Sequence, residues 1–273
     1  MPAVNAKPPA VAFDQGRNSR AKLGFVVLAM EQTVEADVFR LAPEGVGIHF
    51  SRMPMSNSVS FEALAGMAPQ IADSAALLLP EDRLDVACYT CNSGTMVIGE
   101  SEVVDTLAAS GCRPRASTTV MTGVVRALDA VGARTISVAA PYHDEVNSVV
   151  RRFLAGHGFA IADYRSMDLT RNSDIDRVTP ASIAEFARAA DKPDSDAVFI
   201  CCGALRALDV VQEIEDELGK PVIVSNQAMM WDCLRLAGID DPMPGHGRLF
   251  ELGVARHAQA ARKPLLHRLS PGG

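Results

Sequence analysis

Short apolar runs alternate with amphipathic stretches along most of the chain, and the two kinds of segment differ in periodicity. The apolar runs, which are predicted strands, are Leu23 to Ala29, Gly47 to Met53, Asp85 to Tyr89, Thr135 to Ala140, Phe159 to Tyr164, Ala197 to Cys201 and Pro221 to Val224. The stretches with apolar residues three and four apart, which are predicted helices, are Phe61 to Leu79, Val103 to Ala109, Thr122 to Val131, Glu145 to Ala155, Ala181 to Ala190, Leu205 to Leu218 and Ala228 to Ala237. Strands that are apolar on both faces and alternate with helices predict an α/β fold with parallel sheets flanked by helices.

This pattern repeats once. A buried strand ends at Cys91 in the first half and at Cys202 in the second, and each is followed by a helix, a further short segment and an amphipathic helix. We therefore expect two similar lobes related by a pseudo-twofold axis, with the active site in the cleft between them. The expected boundaries are a mobile N-terminal arm at 1–20, a first lobe at 21–120 with part of the C-terminal region packing back on it, a second lobe at 121–250 and a C-terminal tail at 251–273.

Charge and composition argue against several classes of protein. The net charge is −7, and no stripe of Lys and Arg could neutralise a phosphate backbone, so we expect no nucleic-acid partner. No apolar stretch has the length of a membrane span or a signal peptide, so we expect no membrane partner and a cytoplasmic location. In that compartment the six cysteines are expected to be reduced thiols.

The residues around two of these cysteines favour a catalytic role. Cys91 follows a buried strand and precedes a polar turn, Asn92-Ser93-Gly94-Thr95, that leads into a helix. Ligands of parallel sheets bind beyond the carboxyl ends of strands, and a helix N-terminus there is expected to lower the pKa of a thiol. Cys202 has the same relation to its strand, with Gly203 next and a helix predicted from Leu205. One thiolate and one thiol on opposite sides of a carbon atom suit either proton exchange or addition to a double bond.

Free cysteines more often pack as small buried hydrophobes, and this is the alternative for every thiol in the chain. We assign Cys88, Cys112, Cys201 and Cys233 to packing because they lie within predicted strands, loops or helices. The Cys88-x-x-Cys91 spacing does not complete a metal site, because no second pair of cysteines or close pair of histidines follows. Neither a G-x-G-x-x-G segment nor a Walker A segment is present, so we expect no metal and no cofactor.

Four motifs in order resemble one superfamily. They are Cys91-Asn92-Ser93-Gly94-Thr95, Pro141-Tyr142 followed by Glu145 and Asn147, Cys202-Gly203-Ala204-Leu205-Arg206, and Gly219-Lys220-Pro221-Val222 leading to Ser225-Asn226-Gln227-Ala228. From about Leu23 to Leu249 the chain resembles the aspartate/glutamate racemase superfamily, and within it the group of maleate cis-trans isomerases and ectoine-utilisation protein A.

The resemblance implies a cofactor-independent isomerase or racemase of a small carboxylic acid, maleate or an amino-acid derivative, with ectoine degradation as one setting. Cys91 would add to a double bond and Cys202 would handle a proton, while Tyr142 and Asn172 would bind carboxylates. The full predicted set of substrate-binding residues is Gln32, Thr33, Asn92, Ser93, Thr95, Tyr142, Asn172, Gly203 and Ala204. For Tyr142 the alternative is a ring that only packs at a strand end.

Glu31-Gln32-Thr33 departs from the Ser-x-Asn-Thr type of loop that holds a carboxylate in maleate isomerases. A carboxylate at Glu31 that faced the cleft would repel a second substrate carboxylate and suit an ammonium group. The alternative is that Glu31 caps the helix that begins near Thr33.

Two other functions stay open at this point. Arylmalonate decarboxylases of the superfamily keep only the second cysteine, so the presence of both argues against decarboxylation. A ligand-binding protein that has the fold without turnover is the remaining alternative. For either function we expect a small carboxylate as ligand and a homo-oligomer as the assembly.

Overall fold

Two four-stranded parallel sheets form the framework of the protein, as its computed structural model shows for residues 10–14, 16–55, 57, 60–253, 257–258 and 265–267. The first sheet has the order β2-β1-β3-β4 and the second the order β6-β5-β7-β8. The strands are β1 (Ala21–Leu28), β2 (Val46–Met53), β3 (Val86–Tyr89), β4 (Ala116–Thr119), β5 (Thr135–Tyr142), β6 (Ala160–Leu169), β7 (Ala197–Ile200) and β8 (Val222–Val224). The equivalent strand order confirms two similar α/β lobes.

Helices flank both sheets. They are α1 (Val34–Arg40), α2 (Phe61–Ala65), α3 (Ala68–Ala76), α4 (Asn92–Ile98), α5 (Glu100–Ala109), α6 (Val120–Ala130), α7 (Asp144–Gly156), α8 (Asn172–Ile175), α9 (Pro180–Ala190), α10 (Val211–Leu218) and α11 (Ser225–Leu236). The central strands β3 and β7 are buried along their whole length, which explains why they are apolar on both faces.

Two predicted helices differ from the observed ones. The stretch from Phe61 to Leu79 is interrupted at Gly66 and Met67, and a new helix starts with Pro69 in its first turn, where the missing N–H of proline costs no hydrogen bond. The helix predicted from Leu205 begins only at Val211. The segment before it is held by contacts with other elements, since Arg206 Nη2 donates to the carbonyl of Val178.

Helices α6 and α11 pack against each other where the lobes meet. Gly123 permits this contact, because a Cβ there would lie 2.9 Å from the carbonyl oxygen of Ala228. The same interface buries Asp232, whose carboxylate accepts from Arg126 Nη1 at 2.9 and 3.0 Å and from Thr118 Oγ1 at 2.5 Å. Burial alone would raise the pKa of Asp232, but Arg126 and His257 hold it below its ordinary value.

Parts of the predicted tail contact both lobes. His257 Nε2 lies 2.5 Å from Asp232 Oδ1, and the N–H of Leu266 donates to Glu100 Oε2 at 2.9 Å. Leu266 also lies over Gly156 of α7. Residues 1–9 and 15 of the predicted arm, and 254–256, 259–264 and 268–273 of the predicted tail, lie outside the described residues. No helix among the described residues is long and apolar enough to cross a membrane.

Candidate active site

The carboxyl ends of β1, β3, β5 and β7 surround one cavity. Its lining consists of Leu28, Glu31, Met55, Thr90, Cys91, Asn92, Ser93, Tyr142, Asn172, Cys202, Gly203 and Ala204. Both lobes contribute to it, and Cys91 and Cys202 share it. The cavity is small, with a volume of about 30 Å³.

Cys91 lies at the N-terminus of α4. The helix begins at Asn92, so the residues predicted as a turn form its first turn instead. The N–H of Gly94 donates to Cys91 Sγ at 3.2 Å, and Ser93 Oγ lies 3.7 Å from the sulfur. The expectation of a lowered pKa is nevertheless wrong for the structure as it stands: burial raises the pKa of the Cys91 thiol more than these contacts lower it.

Tyr89 lies directly behind this thiol. Its side chain is fully buried, and the contact of its hydroxyl with the sulfur lowers the pKa of Cys91. A Cβ at Gly94 would lie 2.5 Å from Tyr89 Oη and 3.0 Å from Cys91 Sγ. Only glycine therefore leaves room at this position for the hydroxyl and the thiol to lie against the same turn of helix.

Cys202 has a different local structure. Its φ is +101°, in the left-handed region that side chains other than hydrogen disfavour. Its N–H donates to Ser225 Oγ at 3.0 Å. Burial raises the pKa of Cys202 to about 12, although hydrogen bonds from the Tyr142 hydroxyl and the Ala204 N–H oppose the shift. At neutral pH Cys202 is a thiol.

Asn92 connects the two cysteine loops across the cleft. Its Nδ2 donates to Ser225 Oγ at 2.8 Å, and its Oδ1 accepts from the N–H of Gly203 at 3.0 Å. The sequence predicts that Asn92 binds substrate, and it does line the cavity, but its amide is engaged with the second lobe. The Gly203 N–H is engaged by the same contact. These groups position Cys202 rather than offer free donors to a ligand.

Tyr142 is the last residue of β5 and lies beside Cys202. Burial, and then the neighbouring thiol of Cys202, raises the pKa of Tyr142 well above its ordinary value, so the phenol keeps its proton and acts as a donor. The N–H groups of Asn92 and Ser93 are also donors here, since the first turn of a helix leaves them without an intrahelical partner. The one proton of the Tyr142 hydroxyl is donated to the neighbouring Cys202, so the start of α4 is the donor group left to hold a carboxylate.

Three predicted binding residues do not line the cavity. Gln32 is exposed, and its Nε2 donates to Asp176 Oδ2 at 3.0 Å. Thr33 Oγ1 donates to the carbonyl of Ala204 at 2.9 Å, and Thr95 Oγ1 donates to the carbonyl of Cys91 at 2.7 Å. The two threonines stabilise the loops that carry lining residues, because each hydroxyl is used by a nearby carbonyl.

Three lining residues were not predicted from the sequence: Leu28, Met55 and Thr90. Leu28 ends β1, Met55 follows β2, and Thr90 follows β3. The rule that ligands bind at the carboxyl ends of parallel strands could have identified all three.

Glu31 satisfies both interpretations that the sequence left open. Its Oε1 accepts from the N–H groups of Thr33 at 2.7 Å, Gln32 at 3.0 Å and Val34 at 3.2 Å, so it caps α1. It also lines the cavity. Burial raises the pKa of Glu31 despite these hydrogen bonds.

All six cysteines are buried and none is in a disulfide. Among the described residues, no group of three or more His, Cys, Asp or Glu side chains could hold a metal ion. The groups that this cavity offers for chemistry are therefore two thiols, the hydrogen-bond donors beside them and one carboxylate.

Known proteins match both lobes of the chain. Residues 99–250, more than half of the chain, match a family model described as arylmalonate decarboxylase, and this segment contains Cys202 but begins after Cys91. The arylmalonate decarboxylase of Bordetella bronchiseptica is 38% identical over 137 residues, which span 49% of this chain and 57% of that protein. The maleate isomerase of Nocardia farcinica is 30% identical over 242 residues, which span 84% of this chain and 94% of that protein.

One of the solved structures that are similar to this chain contains a covalent intermediate. It is that of a Nocardia farcinica maleate cis-trans isomerase mutant with a covalently bound succinylcysteine intermediate. The TM-score is 0.74 at 26% identity, and the match covers 84% of this chain and 98% of that one.

Proposed function

We propose that this chain, which belongs to the arylmalonate decarboxylase family, is a cofactor-independent isomerase of small carboxylic acids that works through Cys91 and Cys202. The observation that carries the proposal is that these two thiols, from different lobes, line one cavity. The succinylcysteine in the Nocardia farcinica structure supports it, because a cysteine of that relative forms a covalent bond to a four-carbon acid.

In cis-trans isomerisation Cys91 acts as a thiolate and Cys202 as a thiol. The sulfur of Cys91 bonds to one carbon of the double bond, and the other carbon takes the proton of Cys202, which becomes a thiolate. The former double bond is now a single bond and can rotate. Cys202 then takes the proton back, the bond from carbon to Cys91 breaks, and the double bond re-forms in the other geometry.

The carboxylate of the substrate carries extra negative charge while the carbon next to it is anionic. The N–H groups of Asn92 and Ser93 are donors around that position and would stabilise it, while the hydroxyl of Tyr142 donates to Cys202 and would stabilise its thiolate. In racemisation the same pair would act without a carbon–sulfur bond, one thiolate removing the α-proton and the opposite thiol supplying one. Racemisation, a place in ectoine degradation and a homo-oligomeric assembly stay predictions.

Turnover in deuterated water tests this proposal. Maleate, aspartate, glutamate, hydantoins and acetylated diaminobutyrates are each incubated with the full chain and followed by NMR. We expect geometric isomerisation, or deuterium incorporation at a substrate carbon, for at least one of them. Neither reaction with any of them would contradict the proposal and favour a ligand-binding protein.

Arylmalonate decarboxylation is a second candidate, supported by the 38% identity to the Bordetella bronchiseptica enzyme over part of the chain. Decarboxylation needs a proton donor, which Cys202 supplies, and leaves Cys91 without a role. Release of carbon dioxide from phenylmalonate that survives in Cys91→Ala would favour the decarboxylase.

A further inference from the structure

Glu31 makes one wall of the cavity acidic. The residue is only 7% exposed and lines the cavity together with both cysteines. None of the described residues that line the cavity is a Lys, an Arg or a His. A substrate therefore meets a carboxyl group in this wall and no positively charged side chain among the described lining residues.

Arg52 is the cation that acts on Glu31, and it is already engaged. Its Nη2 lies 2.9 Å from Glu35 Oε1, and its Nη1 donates to the carbonyls of Ala29 and Glu31, each at 3.1 Å. It does not line the cavity. Arg52 therefore stabilises the loop before α1, and it lowers the pKa of Glu31 only from outside the cavity lining.

Asp176 adds a second negative charge behind this wall. Its Oδ2 accepts from Asn172 Nδ2 at 3.1 Å, and its Oδ1 is buried without a partner among the described residues. Burial, and then the charge of Glu31, raises the pKa of Asp176 to about 6, so it is mostly ionised at neutral pH. Asn172 Nδ2 also approaches the carbonyl of Met30 at 3.5 Å, and both donors of its amide therefore face protein acceptors.

We infer that this wall binds a positively charged group, so that the substrate is a small amino carboxylate with its ammonium group at Glu31. The inference rests on the proposed function, because it places the substrate beside the two thiols. A carboxylate has acceptor capacity at both oxygens, so Glu31 can keep its three N–H contacts and still receive an ammonium group. Burial raises the pKa of Glu31, and an ammonium group would stabilise its ionised form, whereas a second substrate carboxylate would meet a like charge in a buried site.

Such a substrate would also activate the thiols. The negative charge of Glu31 adds to burial in raising the pKa of Cys91 and of Cys202. An ammonium group beside Glu31 offsets that charge and makes the Cys91 thiolate easier to form. The nucleophile would then be generated mainly when the matching substrate is bound.

Binding of two unreactive four-carbon acids tests the inference without requiring turnover. 4-Aminobutyrate carries a carboxylate and an ammonium group, whereas succinate carries two carboxylates. The Kd of each is measured by titration calorimetry with the full chain at neutral pH. We expect 4-aminobutyrate to bind about ten-fold more tightly than succinate or better, and Glu31→Gln to bring the ratio to about one or to reverse it.

Glu35→Gln is the matched control, because it removes an acid of α1 that pairs with Arg52 but does not line the cavity. We expect it to leave the ratio unchanged. Asp176→Asn provides a second variant if Glu31→Gln fails to fold, and it should lower the ratio by a smaller factor. Succinate binding as tightly as 4-aminobutyrate, an unchanged ratio in Glu31→Gln, or binding of neither acid would overturn the inference, while the isomerase proposal is judged by turnover and the cysteine variants.

Discussion

The two cysteine loops occupy equivalent places in the two lobes, yet different forces fix them. Cys91 has an extended backbone, with φ −89° and ψ 116°, and caps a helix whose own N–H group contacts the sulfur. Cys202 has φ +101° and caps no helix, and Ser225 and Asn92 contact its loop from other elements. A non-glycine residue at such a φ costs about 1–3 kcal/mol and persists only where its surroundings determine it. Both lobes therefore carry a thiol at the equivalent place, but different contacts determine its position.

The largest expected effect on turnover is that of replacing either thiol. We expect Cys91→Ser and Cys202→Ser to lose about a thousand-fold or more in kcat, since an alcohol with its far higher pKa is a poor nucleophile and a poor acid–base group at neutral pH. If the reaction is cis-trans isomerisation, intact-protein mass spectrometry with the unsaturated substrate distinguishes the roles: Cys202→Ser should still form an adduct, and Cys91→Ser should not. Near wild-type turnover by either variant would show that this cysteine only packs in the core.

Asn92 links the two cysteine loops by hydrogen bonds. Removing these bonds should affect Cys202 more than Cys91. Asn92→Ala leaves the Gly203 N–H without its acceptor and removes one of the two N–H donors to Ser225 Oγ. We expect kcat to fall about a hundred-fold, as when a catalytic group is misplaced by about 1 Å. Asn92→Asp retains the acceptor for Gly203 and should lose less. A change in KM with kcat intact would mean that Asn92 binds substrate and does not position Cys202.

The packing around Gly94 gives an effect on stability. We expect Gly94→Ala to lower the free energy of unfolding by about 1–3 kcal/mol, because its Cβ would overlap Tyr89 Oη and press on Cys91 Sγ. Tyr89→Phe removes the overlapping atom and should recover part of the loss in the double variant. Denaturant unfolding of the two single variants and the double variant measures this coupling, and strictly additive losses would contradict the contact.

The two thiols should also differ in how their reactivity depends on pH. Because burial raises the pKa of Cys91, most of that thiol is protonated at neutral pH, and its alkylation by iodoacetamide should accelerate about ten-fold per pH unit up to that pKa. Cys202, with a pKa of about 12, should react still more slowly at each pH. Glu31→Gln should shift the Cys91 curve to lower pH, since the charge of Glu31 contributes to raising it. Peptide mass spectrometry of timed samples gives both rates.

The smallest effect is expected at Gln32. This side chain is exposed and contacts Asp176 on the outside of the cavity wall. We expect Gln32→Ala to change kcat/KM by less than about two-fold, as is usual for surface positions. A loss comparable to that of Asn92→Ala would indicate that the loop before α1 closes over the substrate with Gln32 inside.

Local sequence determined most of the strands and helices and the position of both cysteines at strand ends. These features follow from periodicity and from the length of apolar runs, which depend on residues close together in the chain. Helix α4 was not among the predicted helices, because a polar, glycine-containing segment is compatible both with a turn and with the first turn of a helix. The resemblance to a known family then brought Tyr142 and Asn172 to attention, and both line the cavity.

Only the tertiary structure decided how these residues are used. The bonds from Asn92 to Gly203 and Ser225 join positions more than a hundred residues apart, and no local pattern specifies them. The sequence could not decide whether Glu31 caps a helix or faces the cleft. In the structure it does both, since its carboxylate has two oxygens. Burial, which raises the pKa of Cys91 and Cys202 above their ordinary values, depends on every element packed around the cavity. A thiol at a helix N-terminus has a low pKa only when water or an opposite charge reaches it, and the fold determines whether either does.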